Sequence, residues 1–278
     1  VNEDSLLKMM HSIKHRGPDA EGSYIADNIG LGFVRLSILD LTAAGNQPMT
    51  DATGRYTIIQ NGESYNYIEL REELQNMGYV FCSQSDTEVI LNGYIAWGEK
   101  VLERLNGMFA IAIYDNKEHT LFLARDRFGV KPLYYCITED KFIFASEIPA
   151  ILSAISTKPS ANENAIFDYL VFNRTDQTDE TFFNGIYKLQ HGCCMKLDCS
   201  IAYARENLPI VKWYNLAERV KGKKIQKDTN EFMRLFTRAV QLRLRSDVPW
   251  GVCLSGGLDS SAITSTVINV LNEPDVHS

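Results

Sequence analysis

The chain has 278 residues, with 28 Lys plus Arg against 35 Asp plus Glu and a formal net charge of −7. Hydrophobic residues make up 45% and charged residues 23%, the proportions of a folded globular protein, which excludes disorder as the dominant state. A pI near 5.3 argues against a nucleic-acid partner, and no apolar run approaches the roughly 18 residues that span a bilayer, so no membrane partner is expected.

The start, Val1-Asn2-Glu3-Asp4, is acidic and polar, unlike a signal peptide. The six cysteines (Cys82, Cys136, Cys193, Cys194, Cys199, Cys253) form no C-x-x-C and accompany no His pair at zinc spacing. They read as reduced thiols of a cytoplasmic protein. Along the chain, Leu6, Met10 and Ile13 recur at helical spacing, and this helix should stop before Gly17-Pro18. Ile29, Leu31 and Phe33 alternate, as do Val34, Leu36 and Ile38, which predicts two short strands or one bent strand. Tyr56 to Gln60 reads as a strand ending at Asn61-Gly62. Tyr67, Leu70, Leu74 and Met77 make a helical stripe closed by Gly78. Ser85 and Glu88 have capping-box spacing and open a helix that runs to Gly98. Cys82, between Phe81 and Ser83 in a strand-like segment, reads as a packed thiol.

The period then changes. Met108 to Tyr114, Thr120 to Arg125, Leu133 to Ile137 and Lys141 to Ala145 predict four short strands joined by turns. Hairpins flanked by helices give an α+β fold rather than a βαβ repeat. Residues 201–228, with the basic run Lys221-Gly222-Lys223-Lys224, read as a linker between a domain over 1–200 and another over 229–278. The second begins with a helix through Phe232, Leu235, Phe236, Ala239 and Leu242. A short strand, Val248 to Leu254, should follow, then Ser255-Gly256-Gly257-Leu258-Asp259-Ser260-Ser261 and a helix ending near Leu271. That is the opening of an α/β domain, expected to be truncated at the C-terminus.

Two glycines before a helix start, with three serine hydroxyls, suit a phosphate. No Lys follows, so this is not a Walker-type loop; a serine-capped Gly-Gly turn is the alternative. The segment resembles the S-G-G-x-D-S pyrophosphate loop of ATP pyrophosphatase families. His15-Arg16-Gly17-Pro18-Asp19 resembles the HRGPD signature of asparagine synthetase amidotransferase domains. Arg35-Leu36-Ser37-Ile38, Gly45-Asn46-Gln47-Pro48-Met49, Asn61-Gly62-Glu63, Tyr65-Asn66-Tyr67 and Ser85-Asp86-Thr87-Glu88 match that family in order. So do Leu105-Asn106-Gly107-Met108-Phe109, Arg125-Asp126, Gly129 to Tyr135 and Ala145-Ser146-Glu147.

The resemblance implies a class II glutamine amidotransferase domain with an N-terminal-nucleophile-type αββα sandwich, followed by the start of an ATP pyrophosphatase synthetase domain. Glutamine would give ammonia, and ammonia would displace AMP from an acyl-adenylate of aspartate, with ATP and Mg2+ as cofactors and metal ligands unassigned. Asn61 and Gly62 would form the oxyanion hole, although Asn-Gly alone suits a hairpin turn. Glutamine would be bound by Arg35, Leu36, Ser37, Ile38, Leu39, Asn61, Gly62, Glu63 and Asp86. Arg35 would hold its α-carboxylate, and Glu63 and Asp86 its α-ammonium. Leu254, Ser255, Gly256, Gly257, Leu258, Asp259, Ser260 and Ser261 would bind ATP. Family members are often dimers, so a homodimer is an implied partner.

Three departures qualify these expectations. The family nucleophile is a cysteine at the chain start, where this sequence has Val1, and the strand expected before the first helix is absent; loss of the N-terminus is the favoured reading. Lys188-Leu189-Gln190-His191-Gly192 stands where the family usually has K-L-P-P-G, and Asn173 to Asp179 resembles synthetase-like proteins that amidate other substrates. Two alternatives follow: the same half-reactions on another carboxylate, such as a uronic acid in polysaccharide synthesis, or a non-catalytic glutamine-binding or scaffolding protein.

Overall fold

The computed structural model describes residues 2–223 and 228–273. Lys224 of the basic run, residues 225–227 of the expected linker and residues 274–278 lie outside the described residues. Val1–Ser37 with Thr42–Asn215 form one compact unit, and Ile38–Leu41 with Leu216–Ser278 a second.

In the first unit, α1 (Glu3–Ser12) starts where the Asn2 side chain accepts a hydrogen bond from Asp4 N and buries Leu6 and Met10. A hairpin follows, β1 (Ala20–Ala26) with β2 (Ile29–Arg35), turning at Asp27, whose φ is +46°. The expected strand over Val34 to Ile38 is corrected: pairing stops at Arg35, and the partner strand is β1, which no apolar alternation had announced. Next come β3 (Met49–Thr50), β4 (Tyr56–Ser64), α2 (Tyr67–Asn76), α3 (Asp86–Trp97) and α4 (Val101–Arg104). Then β5 (Gly107–Asp115), β6 (Thr120–Arg125), β7 (Tyr134–Ile137), β8 (Phe142–Ala145), α5 (Ile148–Ala154) and α6 (Glu163–Phe172) follow. The unit closes with β9 (Ile186–Lys188), β10 (Cys193–Asp198) and β11 (Ile210–Lys212). The last of these lies in the segment read as linker, yet pairs with β10.

Six strands form one sheet in the order β11-β10-β6-β5-β4-β3, and three form another in the order β8-β7-β9. Alternation sorts the apolar side chains of the larger sheet onto two faces. Phe109, Ile111 and Ile113 of β5, with Phe122 and Ala124 of β6, pack under Leu70 and Leu74 of α2 and Val89, Ile90 and Tyr94 of α3. Ala110, Ala112 and Tyr114, with Leu121 and Leu123, face Ile29 and Leu31 of β2, Leu133, and Tyr135 of β7. Beyond that second layer, Cys136 and Ile143 pack on Ile151 of α5, and Val34 on Leu6 and Met10 of α1. Helices, sheet, sheet and helices make the expected αββα sandwich. Because β5 and β6 are covered on both faces, they read as nearly continuous apolar runs.

Asn61-Gly62 does not end a strand. It lies inside β4, which pairs with β5 from Tyr56 to Ser64. Gly62 has φ +143°, and a Cβ there would lie 2.0 Å from Met108 O. Close approach of the β5 backbone, rather than a turn, explains the glycine. At α3, Ser85 Oγ accepts from Thr87 N as expected, but Glu88 does not reach back to Ser85. Its carboxylate accepts from Cys82 N, Ser83 N and Ser83 Oγ, closing the bend before the helix. Cys82 sits in that bend, exposed and outside any strand, so its reading as a packed thiol is corrected.

The second unit contains α7 (Leu216–Val220), α8 (Thr229–Arg243) and α9 (Leu258–Ser265). Asp228 caps α8 through Asn230 N and Glu231 N. The expected strand Val248 to Leu254 has a bridge residue only at Gly251 and forms no ladder among the described residues. Its apolar sequence favours a strand, but a strand exists only where a neighbour takes its backbone hydrogen bonds.

Phe122 stacks on Tyr94 at 5.2 Å between ring centres, inside the helix-covered layer. Phe122→Ala should destabilise the protein by about 3–5 kcal/mol in denaturant unfolding, whereas Ile25→Ala, on the open face of β1, should cost under about 1 kcal/mol. Similar costs at both positions would contradict the layering.

Candidate active site

An antiparallel strand directs successive N–H groups to opposite sides. In β4, Asn61 and Glu63 bond toward β5, and Tyr65 N continues that series to Asn106 O at 2.8 Å. Gln60, Gly62 and Ser64 therefore direct their N–H groups to the other edge. Gln60 N donates to Gln47 Oε1 at 2.6 Å, and Ser64 N to Asp86 Oδ2 at 2.7 Å. Gly62 N–H points out between these two filled positions. Asn61 Nδ2 donates to Ser146 Oγ at 3.1 Å, which ties the Asn61-Gly62 pair to the Ala145-Ser146-Glu147 segment.

Asp86, the buried first residue of α3, also accepts from Gln60 Nε2 at 3.1 Å. Burial pushes its acid up, and the hydrogen bonds from Ser64 and Gln60 only partly offset this. Glu63 is pushed up by burial and then by the charge of Asp86, while Lys131 pulls the other way. The two adjoining carboxylates thus disfavour joint ionisation.

Arg35 ends β2 with its side chain buried, and Nη1 donates to Thr42 O at 2.8 Å and Asn46 Oδ1 at 2.7 Å. The first signature packs against it. Gly17 lies so close that a Cβ would sit 2.3 Å from Val34 C and 2.4 Å from Arg35 N. Asp19 N donates to Arg35 O, and Asp19 Oδ2 accepts from Ser37 N at 2.7 Å. Arg16 pairs with Glu147 at 2.8 Å, next to the Ser146 that holds Asn61. The separate motifs are thus one hydrogen-bonded assembly. Leu36 is exposed beside it, whereas Ile38 and Leu39 fall in the second unit, where Ile38 O accepts from Asp247 N at 2.9 Å.

In the loop before α9, Ser255 N donates to Ser260 Oγ at 3.3 Å, and the two hydroxyls lie 3.1 Å apart. The helix cap is Gly257, and the serines hold the turn around it as the alternative reading expects: Ser255 Oγ accepts from Gly257 N at 3.4 Å and Ser260 Oγ donates to Gly257 O at 3.2 Å. Gly256 has φ +79° with open space around an added Cβ; backbone conformation, not crowding, asks for glycine. Leu254 to Asp259 are exposed. Among the described residues no group of three or more His, Cys, Asp or Glu could hold a metal ion. One carboxylate, Asp259, beside hydroxyls fits magnesium only in the form shared with phosphate oxygens.

Residues 1–206 match the family model for a glutamine amidotransferase domain, and residues 231–278 the model for asparagine synthase. The chain belongs to the glutamine amidotransferase family. It is 38% identical over 272 residues to asparagine synthetase [glutamine-hydrolyzing] 1 of Bacillus subtilis (strain 168), covering 95% of this chain and 41% of that protein. It is 36% identical over 265 residues to asparagine synthetase [glutamine-hydrolyzing] 3 of the same organism, covering 95% and 42%. It is also 36% identical over 273 residues to amidase chry2 of Gibberella zeae, covering 97% and 40%. The chain thus spans about two fifths of the length of the curated relatives it matches. Among solved structures, glutamine phosphoribosylpyrophosphate amidotransferase from B. subtilis, complexed with ADP and GMP, aligns with TM-score 0.55 at 18% identity. That alignment covers 76% of this chain and 46% of that one, a likeness of fold.

Sequence reading missed three members of the amidotransferase assembly: Gln47, Gln60 and Ser146. Gln47 and Ser146 stood inside quoted motifs, and Gln60 was a polar residue in a mostly apolar strand. Four of the six cysteines are poorly set as nucleophiles. Burial pushes Cys194 and Cys199 up to about 11 and raises Cys136 and Cys193 as well.

Asp86 has a folded-state pKa above its unfolded value. The native state therefore holds the proton more tightly, and stability falls as pH rises through the window between the two values. At neutral pH the ionised group costs stability. Gln60 Oε1 is buried without a partner and stands beside Asp86 as an acceptor for an introduced amide. Asp86→Asn should unfold at an equal or higher temperature than wild type at pH 7, with the difference shrinking toward pH 4. A clear loss of stability at pH 7 would contradict a buried, destabilising charge.

Proposed function

We propose that the full-length protein is a glutamine-dependent amidotransferase that hydrolyses glutamine at the β4 edge and transfers ammonia to an ATP-activated carboxylate, with aspartate the first choice of acceptor. The observation that carries this reading is the Gly62 N–H, directed outward between two filled donor positions and beside two carboxylates. An amide carbonyl placed there would meet Gly62 N–H and Asn61 Nδ2. Both would strengthen their hold as its oxygen gains charge during attack by a thiolate. The thiol that the family resemblance supplies is an N-terminal cysteine with its own α-amine as base. Ammonia leaves from the tetrahedral adduct, and water cleaves the resulting thioester to glutamate.

Glu63 and Asp86 suit the α-ammonium of glutamine, and Arg35 its α-carboxylate. Arg35→Ala should reduce kcat/KM for glutamine by about 1.5–3 kcal/mol, roughly 10- to 150-fold, the scale of hydrogen bonds to a charged group. Synthesis fed with ammonium bypasses this pocket and should change little. Because Arg35 also holds Thr42 and Asn46, an equal loss of both activities would assign it to the fold instead.

The helix start of α9 and the adjoining hydroxyls of Ser255 and Ser260 favour the pyrophosphate of ATP. Asp259 would hold Mg2+, which neutralises phosphate charge. Asp259→Ala should abolish ATP–pyrophosphate exchange while leaving ammonia release from glutamine in place; retained exchange in the folded variant removes the loop from the reaction. A uronic acid remains the second acceptor reading, on the likeness of Asn173 to Asp179 to synthetase-like proteins that amidate other substrates. Free cysteines throughout the described residues accord with a cytoplasmic setting.

A further inference from the structure

We infer that Gln47 is a positioning residue for the oxyanion donor: its side chain stands in for the strand residue that would otherwise continue β3 alongside β4. The ladder between these strands pairs Thr50 with Thr57 and Met49 with Ile58. Continued by two residues, it would set Pro48 opposite Ile59 and Gln47 opposite Gln60. Asp51 N donates to Tyr56 O, so bonded positions alternate along the ladder, Pro48 falls at a non-bonding one, and the regular strand ends at Met49. At the next bonding position Gln47 uses its side chain rather than its carbonyl: Oε1 accepts from Gln60 N at 2.6 Å, and Nε2 donates to Thr87 Oγ1 at 3.1 Å. The backbone carbonyl of Gln47 has turned toward β1, where an added Cβ on Gly22 would lie only 2.3 Å from it. Three elements therefore fix one amide: the β3 register, the glycine in β1 and the buried hydroxyl at the start of α3.

The position matters because Gln60 N and Gly62 N lie on the same open edge. With its neighbour held by Gln47, Gly62 keeps its direction; with Gln60 N unpaired, this edge is free to twist or to capture water. Gln47 bonds to none of the carboxylates and not to Arg35, so its effect should fall on the direction of the oxyanion donor more than on the charged ends of glutamine. The inference rests on the glutaminase reading above.

The test uses full-length protein and glutamine. In Gln47→Met, the Gln60 amide should lose protection against hydrogen exchange. kcat for glutamine hydrolysis should fall at least about tenfold, short of the ~10²–10³-fold cost of deleting an oxyanion donor, while KM moves less than about threefold. Thr87→Val, nearly isosteric, should give the same split in smaller degree by freeing Nε2 of Gln47, as should Gly22→Ala by crowding its carbonyl. Full kcat in folded Gln47→Met, or a Gln60 amide that stays protected, overturns the inference and leaves the glutaminase reading standing. If Gln47→Met does not fold, Thr87→Val decides by the same two readouts. Wild-type protein that releases no ammonia from glutamine overturns the glutaminase reading, and the inference with it.

Discussion

A β-strand has two sides on which to make backbone hydrogen bonds, and β4 commits one of them to β5 along its full length. On the other side β3 pairs with only two of its residues, so the edge beyond Ile58 must find other partners. Gln47 fills the Gln60 position and Asp86 the Ser64 position, which leaves Gly62 N–H between them. Gly62 can sit there only because it has no Cβ: the β5 carbonyl of Met108 occupies the space where one would be. The outward Gly62 N–H is thus a consequence of a short neighbouring strand and a close backbone contact. Both are properties of the sheet rather than of any loop.

The same edge sets the charge balance. Asp86 caps a buried strand donor that no neighbouring strand reaches, and the cost appears as a raised pKa at both Asp86 and Glu63. Burying a carboxylate in this way is unfavourable unless a cation completes the site. Opposite in sign, Arg35 is buried at the end of β2 and held by Thr42 and Asn46, one residue from the Gln47 that holds β4. A single short segment, Asn46-Gln47, therefore connects the arginine to the strand edge. Ordering that segment in the free protein reduces the conformational entropy to be lost when a ligand with both charges binds.

How far the sequence anticipated this differs by element. β5 and β6 were legible because their apolar runs are covered on both faces, and α2 and α3 because their stripes and end signals agree. β1 was not: Glu21, Ser23 and Ile25 face outward while Gly22, Tyr24 and Ala26 are half-buried, so hydrophobicity does not alternate with burial. Asn61-Gly62 misled in an instructive way, since its turn preference is local and the reason for the glycine, a carbonyl on β5, is 46 residues away in sequence. The charged site residues Arg35, Glu63 and Asp86 entered through ordered motifs. Gln47 and Gln60 needed the register of β3 against β4, which no single-sequence pattern encodes. Val248 to Leu254 failed for the converse reason: the apolar content is there, but strand identity belongs to a pair, and no ladder partner occurs among the described residues.

The edge of β4 and the start of α9 both hold backbone N–H groups outside regular backbone pairing, with opposite economies of structure. Helix geometry leaves its first N–H groups without intrahelical partners, so the Ser255 to Ser261 loop needs a glycine at φ +79° and hydroxyls that hold the turn, Ser255 Oγ accepting from Gly257 N at 3.4 Å. Such a site suits a spread of charge over several phosphate oxygens. A strand frees no donor by itself; here one N–H is isolated by satisfying the donors two residues to either side. That arrangement suits charge developing on a single oxygen, where direction matters more than number. The β4 site is accordingly built from buried Gln60, Ser64, Thr87 and Asp86 and from contacts reaching across β1, β3, β5 and α3.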